Sequence, residues 1–278
     1  MVSSEMTDWF LQFQNVTYTY PGQTQPTIDN LTLSIPQGKK SALIGQNGSG
    51  KSTLLFLADG LYKPQQGEIA MPQMRLRYNR RSLNRWRKSI GLAFQDPNEQ
   101  LVAGTVTEDI SYGLYNLGLP EKDIKQRLRQ IIADFSLEEI WESPLHHLSM
   151  GQKRRVALAG AIALHPNLLL LDEPTAYLDG LQTHHLLQEL DRIWQNGTTL
   201  LMATHDLDLA YAWADWFFIV HQGKLILQGK AEDVFSQRDL LREVQLGVPL
   251  LWEVWESLGK PTPMPRNVEQ LQQHLHKT

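Results

Sequence analysis

Residues 41–53 read Ser41-Ala42-Leu43-Ile44-Gly45-Gln46-Asn47-Gly48-Ser49-Gly50-Lys51-Ser52-Thr53, and this stretch decides the fold class. Ser41–Ile44 is a short, mostly apolar run suited to a buried strand. Gly45 to Thr53 fit the pattern G-x-x-x-x-G-K-[ST]. A helix starting near Ser52 then carries Leu54, Leu55, Leu57 and Ala58. Strand, glycine loop and helix in that order form the context in which this pattern cradles phosphate. Glycine lets the backbone wrap closely around an anion, its N–H groups point at phosphate oxygens, and the helix N-terminus adds a favourable dipole. Lys51 is placed to reach β- and γ-phosphates, and the Ser52 hydroxyl to ligate Mg²⁺. The loop Gly45, Gln46, Asn47, Gly48, Ser49, Gly50, Lys51, Ser52 and Thr53 therefore predicts nucleotide binding, without choosing among P-loop classes.

Outward from the loop, strand-like and helix-like segments alternate, which gives an α/β class. Upstream, Trp9–Tyr20 alternates with the period of a strand through Phe13, Val16 and Tyr18. Thr32–Ile35 reads as another strand before the turn Pro36-Gln37-Gly38. Downstream, Pro64-Gln65-Gln66-Gly67 reads as a turn and Ile90–Phe94 as a strand. Between them, Arg75–Lys88 holds seven Lys or Arg in fourteen positions. A solvated helix face is the ordinary meaning of such a run, and a nucleic-acid patch is the alternative. Helical spacing across Thr107–Tyr115, Glu121–Phe135 and Gly151–Leu164 predicts an all-helical insertion at about 97–164. The alternation resumes with Leu168–Leu171, Gly180–Trp194, Thr198–Ala203 and Leu207–Ala214. Phe217–His221 and Lys224–Gln228 then read as a hairpin through Gln222-Gly223. A Pro-rich link at Gly259–Pro265 precedes a short helix with Val268, Leu271 and Leu275 on one face.

Composition narrows the class further. The 278 residues include no cysteine, which excludes a disulfide scaffold, a Cys zinc site, an Fe–S cluster and a thiol nucleophile. A hydrophobic share of 42% against 20% charged suits an ordered globular chain. The net charge of -4 does not suggest a nucleic-acid binder. The apolar run Val156–Leu164 is broken by His165-Pro166-Asn167, and Ala212–Val220 is interrupted by Asp215. No run therefore reaches the 18–20 or so residues of a spanning helix. MVSSEMTDWF lacks the basic region and apolar core of a signal peptide. A soluble, cytoplasmic chain is expected.

Leu168-Leu169-Leu170-Leu171-Asp172-Glu173-Pro174 is a buried-strand pattern that delivers two acids at its C-terminal end. Asp172 suits a Mg²⁺ ligand and Glu173 a general base for an attacking water. With Leu148-Ser149-Met150-Gly151-Gln152, the chain resembles the ATP-binding-cassette (ABC) ATPases. That segment is similar to their LSGGQ signature, with Met150 in place of the first glycine. The resemblance spans about residues 9–245. Gln95 after Phe94 matches the Q-loop, Thr175–Asp179 the D-loop, Ala203-Thr204-His205-Asp206 the switch-histidine segment, and Tyr20 before Pro21-Gly22 the aromatic that stacks on adenine.

The resemblance implies a P-loop NTPase cassette over residues 1–245, with a RecA-like core, an N-terminal antiparallel β subdomain and a helical signature subdomain, and a helical tail over 246–278. It also implies ATP and Mg²⁺ as cofactors and a head-to-tail pair of ATPase subunits, either two copies or a paired homologue. In that arrangement Ser149, Gly151, Gln152 and Asp179 complete the partner's nucleotide site. Glu173, His205 and Gln95 would be the catalytic residues, with Ser52, Gln95 and Asp172 around the metal.

The wording Phe94-Gln95-Asp96-Pro97-Asn98-Glu99-Gln100-Leu101, with Tyr115-Asn116-Leu117-Gly118-Leu119 and Pro144-Leu145-His146-His147-Leu148-Ser149, is similar to energy-coupling-factor (ECF) ATPases, best to the cobalt/nickel branch, with biotin-type members also open. Those ATPases imply a transmembrane coupling subunit, a substrate-capture membrane subunit, a peripheral place on the cytoplasmic face of the membrane, and no nucleic-acid partner. A soluble non-transport ABC protein and a P-loop kinase or nucleotide sensor remain the competing readings. His146-His147 and His184-His185 could suggest metal binding. Neighbours on a helix point about 100° apart, and no third ligand is spaced for a site. Trp252 and Trp255, with Leu251 and Val254, fit either core packing or a dimer contact. Tyr18 is expected to pack rather than to hold a base.

Overall fold

The computed structural model describes residues 8–259 and 264–275. Lys260–Pro263 of the Pro-rich link, and the first seven residues, lie outside them. Strands β1 (Trp9–Tyr18) and β2 (Ile28–Pro36) pair antiparallel, and β3 (Lys40–Ile44) leads into the phosphate loop and α1 (Lys51–Asp59). Next come β4 (Gln66–Met71), β5 (Met74–Arg75), α2 (Arg80–Arg87) and β6 (Ile90–Ala93). Helices α3 (Val106–Asn116), α4 (Glu121–Asp134) and α5 (Met150–Ala163) intervene before β7 (Leu168–Asp172). The core finishes with α6 (Gly180–Gln195), β8 (Thr199–Thr204), α7 (Leu207–Trp213), β9 (Trp216–His221) and β10 (Lys224–Gly229). Four short helices follow: α8 (Ala231–Phe235), α9 (Arg238–Glu243), α10 (Leu250–Ser257) and α11 (Val268–Leu275).

Two sheets result. An antiparallel sheet has the order β2-β1-β4-β5, and a larger one the order β10-β9-β3-β8-β7-β6. From β9 to β6 the larger sheet is parallel, and β10 closes its edge as a hairpin partner of β9. Its inner strand β7 is buried on both faces, which is why Leu168–Leu171 is apolar without alternation. Leu169 and Leu171 point into a core shared with α3, α5 and α7. Leu168 and Leu170 point into a second core shared with α1 and the antiparallel sheet.

Two parts of the antiparallel sheet escape a reading by pattern. The turn expected at Pro64–Gly67 overlaps β4. Gly67 has φ +79, and a Cβ there would lie 2.4 Å from the carbonyl oxygens of Gln14 and Asn15, so this glycine serves a close strand approach. Asn15 (φ 50) and Asn30 (φ 47) break the register of β1 and β2, which hides the first half of β2.

The C-terminal helices dock on the core. Trp252 is buried edge-on to Tyr211 and beside Phe235, and Trp255 is buried against His274, so both tryptophans are packing residues. Arg266 lies over the Tyr211 ring and donates from Nε to the Tyr211 carbonyl oxygen at 2.8 Å, while the Tyr211 hydroxyl donates to the Pro265 carbonyl oxygen at 3.0 Å.

Candidate nucleotide site

The phosphate loop sits at the C-terminal edge of β3, where an open parallel sheet presents its ligands. Gly45 cannot carry a side chain, since a Cβ would lie 2.3 Å from the Val220 carbonyl oxygen. Gly50, at φ +103, lies against Ile28 and Thr27. The Lys51 ammonium is folded back onto the loop. It donates to the Gly45 carbonyl oxygen at 2.7 Å and to that of Gln46 at 3.2 Å, and lies 3.7 Å from Glu173 Oε1. Burial lowers its pKa, and the neighbouring Glu173 and Asp172 oppose that shift.

Strand β7 delivers both acids to the same place. Asp172 is 2% exposed, and its Oδ1 has no hydrogen-bond partner. Burial raises its pKa, and a hydrogen bond from Ser52 opposes the rise. An orphaned carboxylate oxygen beside a hydroxyl is a hard, all-oxygen donor pair of the kind Mg²⁺ prefers, so the residues fit that ion. Glu173 is 6% exposed at φ 43, a left-handed conformation that costs energy for a side chain of this size. Both of its carboxylate oxygens lie 3.0 Å from His205 Nδ1, which follows β8.

Tyr20, Asn47, Gly48, Gly50, Lys51, Ser52, Thr53, Gln95 and Glu173 line one cleft together. The Tyr20 hydroxyl is 3.0 Å from Thr53 Oγ1, and its ring packs edge-on against Tyr18 and Tyr62. Tyr18 itself is buried packing. Ser149, Gly151 and Gln152 line a different cleft, shared with Gln182 of α6. Ser149 and Gln152 form a capping box at the start of α5. Asp179 and Gln182 form another at the start of α6. The His146-His147 and His184-His185 pairs lie outside the nucleotide cleft. His184 is engaged locally, with Nε2 3.0 Å from Gln188 Nε2.

One residue was not singled out from the sequence. Arg154 of α5 is 7% exposed and donates from Nη1 to the Glu173 carbonyl oxygen at 3.0 Å, and from Nη2 to the Gln95 carbonyl oxygen. It thereby ties the helical insertion to two elements of the cleft. A signal was present: Arg154 is in helical phase with Ala157, Leu158 and Ala161, all buried, so its charge had to enter the interior.

Comparison with known proteins agrees with this geometry. The model of the ABC transporter family matches residues 28–176. The chain belongs to the ABC transporter family. Such cassettes bind ATP and hydrolyse it to power transport, and this one is an ATPase of that kind. It is 56% identical to a Nostoc protein provisionally named an ABC transporter ATP-binding protein, over 88% of this chain and 89% of that one. It is 41% identical to the cobalt import ATP-binding protein of Rhodobacter capsulatus, over 92% of each chain. Identity is 35% to an energy-coupling factor transporter ATP-binding protein of Carboxydothermus hydrogenoformans, over 96% of this cassette and 97% of that one. Among solved structures, the fold matches the cbiO1 protein of Clostridium perfringens, described as part of an ABC transporter complex, with a TM-score of 0.74 and 34% identity over 91% of this chain and all of that one.

Proposed function

We propose that this cassette is the ATPase subunit of an ECF-type importer, paired with a second ATPase subunit. In this reading it drives uptake of a transition-metal ion, cobalt or nickel, through a transmembrane coupling subunit and a substrate-capture subunit. The observation that carries the reading is the split site. Lys51, Ser52, Gln95 and Glu173 line one cleft, with Asp172 bonded to Ser52 and His205 to Glu173, while Ser149, Gly151 and Gln152 open onto another. A nucleotide in the first cleft of one copy would be closed by the signature residues of its partner. The cobalt-import relative supports the metal substrate. A vitamin importer of the same type is the second reading, supported by the ECF-named relative. We take residues 1–245 as the ATPase cassette, with a helical arm at about 97–164, and 246–278 as an accessory tail.

The geometry supports these roles. The loop amides of residues 45–53 and Lys51 bind the phosphates, and the Tyr20 ring carries the base. Ser52 and Asp172 would hold Mg²⁺, with Gln95 lining the same cleft as Ser52. When bound, that ion neutralises charge on the β- and γ-phosphates. Glu173 accepts a proton from the attacking water, and His205, bonded to its carboxylate, fixes the orientation of that carboxylate. The helix dipole at Ser149 favours the γ-phosphate from across the pair. Among the described residues no helix is long and apolar enough to cross a membrane. In this reading the pore belongs to other chains, and this one sits peripherally on the cytoplasmic face.

Isotopic cobalt uptake by cells carrying this cassette and its neighbouring membrane genes tests the proposal. Uptake should be lost with Glu173→Gln, and the chain should co-purify with an integral membrane protein. Cobalt-independent biotin uptake would select the vitamin reading. Recovery only in soluble or ribosomal fractions would contradict both.

A further inference from the structure

Residues 69–95 contain no Asp or Glu and seven Lys or Arg, although the whole chain is acidic. The rest of the chain holds 19 Lys and Arg against 30 Asp and Glu, a net charge of −11. The positive charge is therefore concentrated in one segment, with four of its seven cations on α2. On α2, Trp86 is fully buried with its Nε1 donating to the Ala58 carbonyl oxygen at 2.8 Å, which fixes the rotation of the helix. At about 100° per residue, Arg87, Arg80, Asn84, Lys88, Arg81 and Arg85 then cover the opposite arc, all exposed. Among the described residues only two cations of this stretch form ion pairs, Arg75 with Glu68 and Arg87 with Asp59. Arg77, Arg80, Arg81, Arg85 and Lys88 face solvent without an acid. Leu61, also exposed, follows Gly60, whose carbonyl oxygen accepts from Arg87 Nη2 at 3.2 Å.

We infer that this face of α2 is a docking surface for anionic lipid headgroups. Four unpaired cations on one arc, Arg80, Arg81, Arg85 and Lys88, with Arg77 just before the helix, cost self-repulsion that no acid among the described residues offsets, and an anionic surface offsets it. An exposed leucine beside the arc gives a small apolar contact at the headgroup level. A single-stranded nucleic acid fits less well, because the one aromatic ring of the helix is buried and cannot stack on a base. A transport ATPase, moreover, works beside a membrane surface. The inference rests on the peripheral-membrane reading above.

Flotation of the purified full chain with vesicles tests it. One set is pure phosphatidylcholine and the other contains phosphatidylglycerol. The wild type should float with the anionic set only, and should be released as salt rises from about 0.1 M to about 1 M. The triple variant Arg80→Gln, Arg81→Gln, Arg85→Gln should bind anionic vesicles about 100-fold more weakly. Its ATP turnover should be unchanged, which controls for folding. Equal binding to both vesicle types, no binding to either, or full binding by the triple variant would overturn the inference. Tighter Arg80-dependent binding to a DNA duplex than to the vesicles would assign the face to nucleic acid and overturn it as well. Vesicle binding that persists while no membrane protein co-purifies would sink the importer reading and leave this one standing.

Discussion

The two clefts that carry the nucleotide chemistry differ in how finished they are. Around the phosphate loop Lys51, Asp172 and Glu173 are buried, and the groups are already engaged: Lys51 with two loop carbonyls, Glu173 with exposed His205, and Ser52 with Asp172. Around the signature, Ser149 is exposed, and its polar atoms do no more than cap α5. One cleft is a preorganised half-site and the other is a surface. The difference teaches that the chemistry is held ready in one chain, while its timing is left to whatever closes the exposed half. Arg154 links the two, since it lies on the signature helix and holds the backbone of both Glu173 and Gln95.

The largest effect should fall on the finished half. Glu173→Gln removes the base without changing its shape. Steady-state phosphate release should fall about 10²–10⁴-fold while equilibrium ATP binding is retained. Next, Ser149→Arg should lower turnover about 100-fold with ATP affinity at the phosphate loop unchanged, because only the exposed half is altered. Normal turnover would show that the signature has no part in the reaction and would return the chain to the reading of a nucleotide sensor.

Breaking the link comes third. Arg154→Met leaves one buried and one partly buried carbonyl without a donor, and should cost about 2–3 kcal/mol in denaturant unfolding along with part of the turnover. Arg154→Lys should rescue incompletely, because one ammonium cannot reproduce the guanidinium fork.

The fourth prediction concerns Asp59, at the C-terminal end of α1. Burial pushes its pKa up to about 6, against the opposing pull of Arg87. The folded state therefore holds this proton more tightly than the unfolded chain, whose carboxyl titrates near 4. Folded and unfolded forms are both protonated below about pH 4, and the charged carboxylate is disfavoured in the fold above about pH 6. Stability should thus fall as pH rises across that window. Asp59→Asn should flatten the fall and stabilise the protein by about 1–3 kcal/mol at pH 7, read from melting at several pH values. A wild-type melting temperature that rises through the window would reverse the assignment.

The smallest effect concerns the C-terminal end of the cassette. Gln46 Nε2 in the phosphate loop donates to the Gln245 carbonyl oxygen at 3.1 Å and to its Oε1 at 3.2 Å. Gln245→Ala removes only the second acceptor. The KM for ATP should rise about two- to five-fold with kcat nearly unchanged.

The half-site was legible in the sequence because its parts are local. A glycine loop between strand and helix, and acids at the end of an all-leucine strand, carry their meaning within ten residues. The alternation of elements gave the α/β class for the same reason. What escaped depends on contacts between distant segments. β4 was obscured by turn chemistry because Gly67 is required by its approach to Asn15 across the sheet. Glu173 gives no hint in sequence of its left-handed backbone, which the surrounding structure imposes. Arg154 looked like one of several basic residues after the signature. Only its burial against the Glu173 and Gln95 carbonyls separates it from exposed Arg155 and half-buried Lys153.

The central claim is that one chain's exposed signature completes another chain's nucleotide cleft. Light scattering on the Glu173→Gln variant measures this most directly. The account predicts a monomer without nucleotide, a doubled mass with ATP and Mg²⁺, and a return to monomer when Ser149→Arg is added to the same chain. A mass that stays single with bound ATP, or a dimer indifferent to Ser149→Arg, would contradict it.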